Sequence, residues 1–156
     1  MAHYDPETFD SRYSLGYLLK INHLLMHECA DRIFTDHELS FPQWIALLKL
    51  NEGITLTASE LCRVMRHDNG ALTRLLDQLE ERGYLVRQRS LQDRRVVDLQ
   101  ITDAGRLKVK ELTPQVVNKL NEALKPFSPD EFTELTRLLV KLKNRLDELT
   151  LEPAAP

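Results

Sequence analysis

The stretch from Thr57 to Gly105 constrains this 156-residue chain more than any other, because its apolar period switches from helical to alternating and every cation in it is arginine. Thr57-x-x-Glu60 is a capping box, in which hydroxyl and carboxylate each satisfy a free backbone donor at a helix start. Leu61, Val64 and Met65 make the expected buried side of a short helix. Asp68 caps the next one, whose Leu72, Leu75, Leu76 and Leu79 recur at helical spacing until Gly83 stops it. Tyr84 to Arg89 and Val96 to Ile101 alternate apolar and polar residues, as half-buried strands do. Between them lies the polar hairpin SLQDRR, with two arginines at its tip. Two short helices followed by a basic hairpin make the plan of a winged helix-turn-helix, in which the second helix enters the major groove of DNA.

The charge distribution agrees with that plan, although the total does not. The whole chain carries a formal net charge of -3, but Arg63 to Arg95 holds eight arginines against five acids. A basic patch on an acidic body favours nucleic acid at the patch and nowhere else. The helix that starts at Asp68 presents Asn69, Gly70, Thr73 and Arg74 on its first turns. Gly70 permits close approach of a backbone, Asn69 can read adenine, and Arg74 can reach guanine or a phosphate. Arg66, His67 and Arg89 flank these elements and complete the candidate DNA surface. In the hairpin, a carboxylate two residues before an arginine can hold its guanidinium, and an arginine at such a tip fits the narrow minor groove of A·T-rich DNA.

The flanking chain is helical and too apolar to stand alone. Ser11 to about His37 has the composition of one long helix with two neighbouring apolar stripes, which calls for cover on several sides. Ser40-x-x-Gln43, with Pro42 in the first turn, starts a helix carrying Trp44, Leu47, Leu48 and Leu50. Ile54 to Leu56 can add a short strand to the hairpin. Thr102 or Asp103 caps a later helix, in which Pro114 should introduce a kink or end a first segment. Ser128 to Glu131 is a further capping box. Phe132, Leu135, Leu139, Leu142, Leu146 and Leu149 then follow in steps of three and four, a seam that wants a partner helix. Both ends, Met1 to Pro6 and Glu152 to Pro156, are expected to fray.

Three runs together, LTRLLDQLEERGYLVR (Leu72 to Arg87), Asp93-x-Arg95 and LQITDAG (Leu99 to Gly105), resemble the DNA-binding domain of the MarR family of bacterial transcriptional regulators. The resemblance implies a mainly α fold with a small β-hairpin wing (α+β), a winged helix-turn-helix plus N- and C-terminal dimerisation helices. Residues 40–105 would be the DNA-binding region, and 11–38 with 106–150 the dimerisation region of a single chain. It implies a homodimer on a pseudo-palindromic operator, with Arg95 in the minor groove, Asp93 as its brace and Arg94 on a phosphate. It also implies a repressor released by a small effector, of phenolic or aromatic carboxylate type, bound near the first helix by His23, His27 and Trp44. Two positions depart from the family pattern: Arg66 replaces a small or glycine turn residue, and His67 an aliphatic one. A differently shaped turn, with His67 outward, is the corresponding expectation.

Other chemistries find less support. His23-x-x-x-His27 has a zinc-chelating spacing, but a site needs more ligands than this pair, and histidines on a packed helix are commonly hydrogen-bonded core residues. Cys29 and Cys62 have apolar neighbours, where a free cysteine behaves as a small hydrophobe; Arg63 beside Cys62 is the one hint of a reactive thiol. A redox- or metal-responsive regulator of the same fold is therefore the alternative. Outside that class stands a helical interaction dimer that binds no DNA, which leaves the arginine hairpin unexplained. No phosphate loop, nucleophile elbow, HExxH or CxxC pair points to an enzyme, and no cofactor is implied. The two cysteines, with no signal peptide or long apolar run, lead to the expectation of a cytoplasmic protein without membrane partners.

Overall fold

The computed structural model describes residues 2–35, 37–53, 57–89 and 97–151, Leu151 by its backbone alone. Its elements are α1 (Leu15–Phe34), α2 (Phe41–Asn51), α3 (Ala58–Met65), α4 (Asn69–Glu81), β1 (Leu85–Arg89), β2 (Val97–Ile101), α5 (Asp103–Leu124) and α6 (Pro129–Leu151), with a short 3-10 turn over Ser11–Tyr13. They fall into two compact units that divide between Val116 and Val117, within α5.

The first helix is shorter than its composition suggests. Ser14 adopts an extended backbone (φ -69°, ψ 144°) and its hydroxyl accepts from the Tyr17 amide, so α1 starts there and the 3-10 turn stands apart. Before it, the Tyr4 hydroxyl accepts from the Leu15 amide at 2.7 Å, and the Tyr4 and Phe9 rings meet edge-on; of the ends expected to fray, Met1 and Glu152 to Pro156 lie outside the described residues. Of α1, only Ala30 and Phe34 are buried within the chain. The expected capping boxes form at both Ser40 and Thr57, so local side-chain chemistry sets the starts of α2 and α3.

In the first unit the core forms where the helix-turn-helix meets the hairpin and the start of α5. Its five most completely buried large side chains are Leu47, Leu61, Leu79, Leu85 and Leu112, one each from α2, α3, α4, β1 and α5. Val64, expected inside, is exposed, while Met65 is half-buried. The strands pair antiparallel, with Leu85 opposite Ile101, Arg87 opposite Leu99 and Arg89 opposite Val97. Since side chains alternate along a strand, Leu85, Arg87 and Arg89 share one face, and Leu85 has no exposure at all. The strand expected over Ile54 to Leu56 lies outside the described residues; the next residue, Thr57, bridges Asp98 of β2.

β2 hands over to α5 through Thr102, whose hydroxyl donates to the Gly83 carbonyl at 2.7 Å and accepts from the Gly105 amide at 3.1 Å. Thr102 rather than Asp103 is thus the cap. The helix is continuous across Pro114, so a first segment does not end there. In the second unit, α6 carries its seam on the surface: Phe132, Leu135, Leu139, Leu146 and Leu149 are all exposed.

Gly105, in the first turn of α5, lies against the backbone of Tyr84, between α4 and β1. A Cβ there would run into the Tyr84 carbonyl and lie 2.8 Å from Ile101 Cγ1. Backbone cannot swing aside as a flexible side chain can. Gly105→Ala should therefore lower the unfolding free energy by about 3 kcal/mol, read from denaturant midpoints at fixed protein concentration.

Candidate nucleic-acid interface

α3 and α4 meet in a turn whose geometry the side chains impose. α3 ends at Arg66 in the left-handed region (φ 53°, ψ 35°), the conformation a glycine would take at that position. The turn therefore takes a conformation that glycine favours, with a side chain added. A non-glycine residue there costs about 1–2 kcal/mol in backbone sterics. Neighbouring bonds hold it: Cys62 Sγ lies 3.0 Å from the His67 carbonyl and 3.1 Å from Asn69 Oδ1. His67 is half-buried rather than outward, with Nδ1 3.1 Å from the Met65 carbonyl.

Asp68 then caps α4, accepting from the Ala71 amide at 2.8 Å. The helix is split lengthwise. Leu72, Leu75, Leu76 and Leu79 are buried, whereas Asn69, Gly70, Thr73 and Arg74 are exposed on the opposite side. The Thr73 hydroxyl donates to the Asn69 carbonyl at 2.7 Å, leaving its oxygen to accept from outside. Gly70 has open space apart from Asp68 Oδ1, 3.3 Å from where a Cβ would sit, so a side chain would occupy room that a ligand backbone could use. Beside this face Ser59, Cys62, Arg63, Arg66, His67 and Asn69 line an open concavity of about 460 Å³. Arg89 is exposed at the end of β1. Asp93, Arg94 and Arg95 lie outside the described residues.

Two of the segment's arginines are engaged by partners elsewhere in the chain. Arg82 Nη1 donates to Gln43 Oε1 at 3.1 Å, while Gln43 Nε2 donates to Gln78 Oε1 at 2.6 Å, tying α2 to the end of α4. Gln43 is the single buried polar residue among those described, and it also completes the capping box at Ser40. Arg87, on β1, pairs with Asp77 at 2.5 Å and donates to the Thr73 carbonyl at 3.1 Å. Neither Gln43 nor Arg87 stands out in the sequence as a site residue, and Cys62 does so only as a candidate thiol. The strand alternation that puts Arg87 on the face of Leu85 is the signal that could have marked it.

The three residues expected to meet an effector form a chain of ring contacts. His23 and His27 lie edge-on with centroids 4.7 Å apart, and His27 meets Phe41 at 5.1 Å. Phe41 stacks on Trp44 at 5.9 Å. Trp44 is buried, and its indole Nε1 has no hydrogen-bond partner among the described residues. None of the three lines the concavity of about 440 Å³ around Asp31, Phe34, Glu38, Gln43 and Arg82. Among the described residues, no group of three or more His, Cys, Asp or Glu side chains could hold a metal ion. Cys29 is exposed and Cys62 half-buried, both as free thiols.

A leucine-anchored second helix with a polar outer face, followed by a two-stranded hairpin, defines a winged helix-turn-helix protein. The MarR family model matches residues 39–97. The HTH-type transcriptional regulator PecS of Dickeya dadantii is 30% identical over 135 residues, covering 85% of this chain and 81% of PecS. The crystal structure of a cysteine-to-serine mutant of Escherichia coli MarR, complexed with operator DNA, superposes with a TM-score of 0.76 at 26% identity, over 86% of this chain and 99% of that one. A structure of Bordetella bronchiseptica BpsR, concerned with regulation of its DNA binding by 6-hydroxynicotinic acid, has the same fold, with a TM-score of 0.78 at 20% identity over 86% of this chain and 96% of that one. The chain belongs to the MarR family of transcriptional regulators. No helix among the described residues is long and apolar enough to cross a membrane.

The Asp68 cap carries a pH dependence. Its hydrogen bond from Ala71 holds the carboxyl below its ordinary value, with the Gly70 amide and the Arg74 charge acting the same way against the cost of desolvation. A carboxyl depressed in the folded state stabilises above its unfolded pKa, and that contribution is lost as pH falls through the folded value. Asp68→Ala should therefore melt earlier than wild type at neutral pH. The gap should close below the ordinary carboxylate range, whereas Asp68→Asn, which keeps the acceptor, should lose little. Thermal melts from neutral to acid pH measure this.

Proposed function

We propose that the protein is a homodimeric, sequence-specific regulator that binds double-stranded DNA at a pseudo-palindromic operator and represses transcription until a small effector releases it. The lengthwise split of α4 carries this reading, since four leucines hold the helix while Asn69, Gly70, Thr73 and Arg74 face outward. A helix so held can lie in the major groove, with Asn69 on an adenine edge and Arg74 on guanine or phosphate. In the wing, Arg95 enters the minor groove with Asp93 as its brace, while Arg94, Arg89, Arg66 and His67 meet the backbone. The operator-bound relative, MarR of Escherichia coli, supports this arrangement.

Residues 40–105 serve as the DNA-binding region, and 11–38 with 106–150 as the dimerisation region. Support comes from apolar surface that each unit leaves uncovered: Leu25 of α1 is 53% exposed and Leu146 of α6 47%. Covering a leucine completely stabilises by about 1.5–3 kcal/mol, so pairing with a second copy is strongly favoured. The effector is a small aromatic carboxylate or phenol bound beside His23, His27 and Trp44. The run of rings and the free indole N–H of Trp44 support that class, as does the compound that regulates BpsR. The protein catalyses no reaction and works in the cytoplasm, where its DNA lies.

Sedimentation at micromolar concentration should find a dimer; a folded monomer there would overturn the assembly. Operator and random-DNA affinities across a salt series should separate the contacts. Asn69→Ala or Arg74→Ala should relax base preference by about 1–3 kcal/mol at particular positions. Arg94→Ala should weaken all sequences equally and reduce the salt slope by about one per site. Arg95→Ala and Asp93→Ala should weaken operator binding in a folded dimer; wild-type affinity in both would remove the wing from the interface.

A further inference from the structure

One arginine of the basic segment is bonded along the reading helix itself. Arg87 sits in β1 opposite Leu99 and shares the inward face of the strand with fully buried Leu85. There its amide donates to Glu80 Oε1 at 3.0 Å, Nη1 to Asp77 Oδ1 at 2.5 Å, and Nη2 to the Thr73 carbonyl at 3.1 Å. Nη1 also lies 3.7 Å from Glu80 Oε2. Thr73, Asp77 and Glu80 recur at helical spacing on one side of α4, so a single strand residue grips about two turns of the reading helix. Only 24% of the Arg87 side chain is exposed, and two carboxylates offset its charge. A guanidinium fixed in this way must break those bonds before it can meet a phosphate.

We propose that Arg87, braced by Asp77, is a positioning residue that sets where the wing stands relative to α4, and so fixes the spacing between major-groove and minor-groove contacts in each half-site. The proposal rests on the DNA-reading function above. Two readers on one rigid body engage together only if their separation matches the groove, and the second contact gains affinity from the first. The planar fork serves here because it bonds a carboxylate and a backbone carbonyl at once. A lysine keeps the charge but cannot reproduce both bonds.

The test is a binding series on the full-length protein. Wild type is used to enrich a duplex from a randomised library, and that duplex and random DNA are titrated with wild type, Arg87→Ala, Arg87→Lys, Asp77→Asn and the double variant Arg87→Ala/Asp77→Asn across salt concentrations. Each single variant should weaken the selected duplex by about tenfold or more, the scale of one good base contact, with random-DNA affinity and salt slope unchanged. The double variant should be no worse than Arg87→Ala, because the pair acts as a unit. Asp77→Asn is the sharpest arm. It removes a negative charge beside the DNA face, so plain electrostatics calls for tighter binding where the clamp calls for weaker. Asp77→Asn binding as wild type or better, Arg87→Lys restoring affinity, or Arg87→Ala lowering the salt slope by about one would overturn the proposal and leave Arg87 an ordinary phosphate contact. Should Arg87→Ala not fold, Arg87→Lys and Asp77→Asn, which keep most of the volume, decide the matter. A wild-type protein that enriches no duplex overturns the DNA-reading function itself, and the proposal with it.

Discussion

Burial of one leucine from each of five elements is the constraint on which the rest of the first unit depends. Leu47, Leu61, Leu79, Leu85 and Leu112 bring α2, α3, α4, β1 and α5 to a common centre. Removing side-chain volume from such a site typically costs about 2–5 kcal/mol, a large part of the stability of a chain this size. That rigidity fixes the outer face of α4 as well as the inner one. A helix that cannot roll holds Asn69 and Arg74 in a constant direction, and reading base edges requires such constancy.

Around that core the polar groups divide by reach. Arg82, although exposed, bonds to α2 and half-buried Arg87 to α4, whereas Arg74 and Arg89 are exposed without an ion pair among the described residues. The count of eight arginines in Arg63 to Arg95 therefore overstates the number of guanidiniums this segment offers a polyanion. The distribution matters more than the sum, as it does for the net charge of -3 on the whole chain. Gln43 shows the same economy: a single side chain caps α2, accepts from Arg82 and donates to Gln78, so the start of one helix is tied to the end of another.

The turn between α3 and α4 shows how a position can keep its shape while changing its residue. Arg66 takes the left-handed conformation without being glycine, and the thiol of Cys62 spans the turn to the His67 carbonyl and Asn69 Oδ1. Backbone strain of this kind persists when the surroundings over-determine it. Here a buried Leu61 on one side and the Asp68 cap on the other leave the connecting residues little freedom.

The sequence by itself determined the elements and most of their ends, because those depend on groups within about four residues of one another. The capping boxes at Ser40 and Thr57, the Asp68 cap and the leucine stripe of α4 are legible for that reason. The outward residues Asn69, Gly70, Thr73 and Arg74 follow from the same periodicity, read from its polar side. The resemblance carried by Leu72 to Arg87 and Leu99 to Gly105 supplied the wing and the function, which periodicity alone leaves open. The break at Ser14 was not legible, since the composition on either side of it is the same and its serine cap has no reciprocal glutamate or glutamine three residues on to mark it. Nor was Val64, an apolar residue that the packing leaves at the surface. Only the tertiary structure decided which arginines are free to meet DNA. Eight guanidiniums look alike along the chain, but Arg87 meets a carboxylate 10 residues away and Arg82 an amide 39 residues away. Those partners are brought within bonding distance by the leucine core, so the charge left for a ligand is a property of the folded chain.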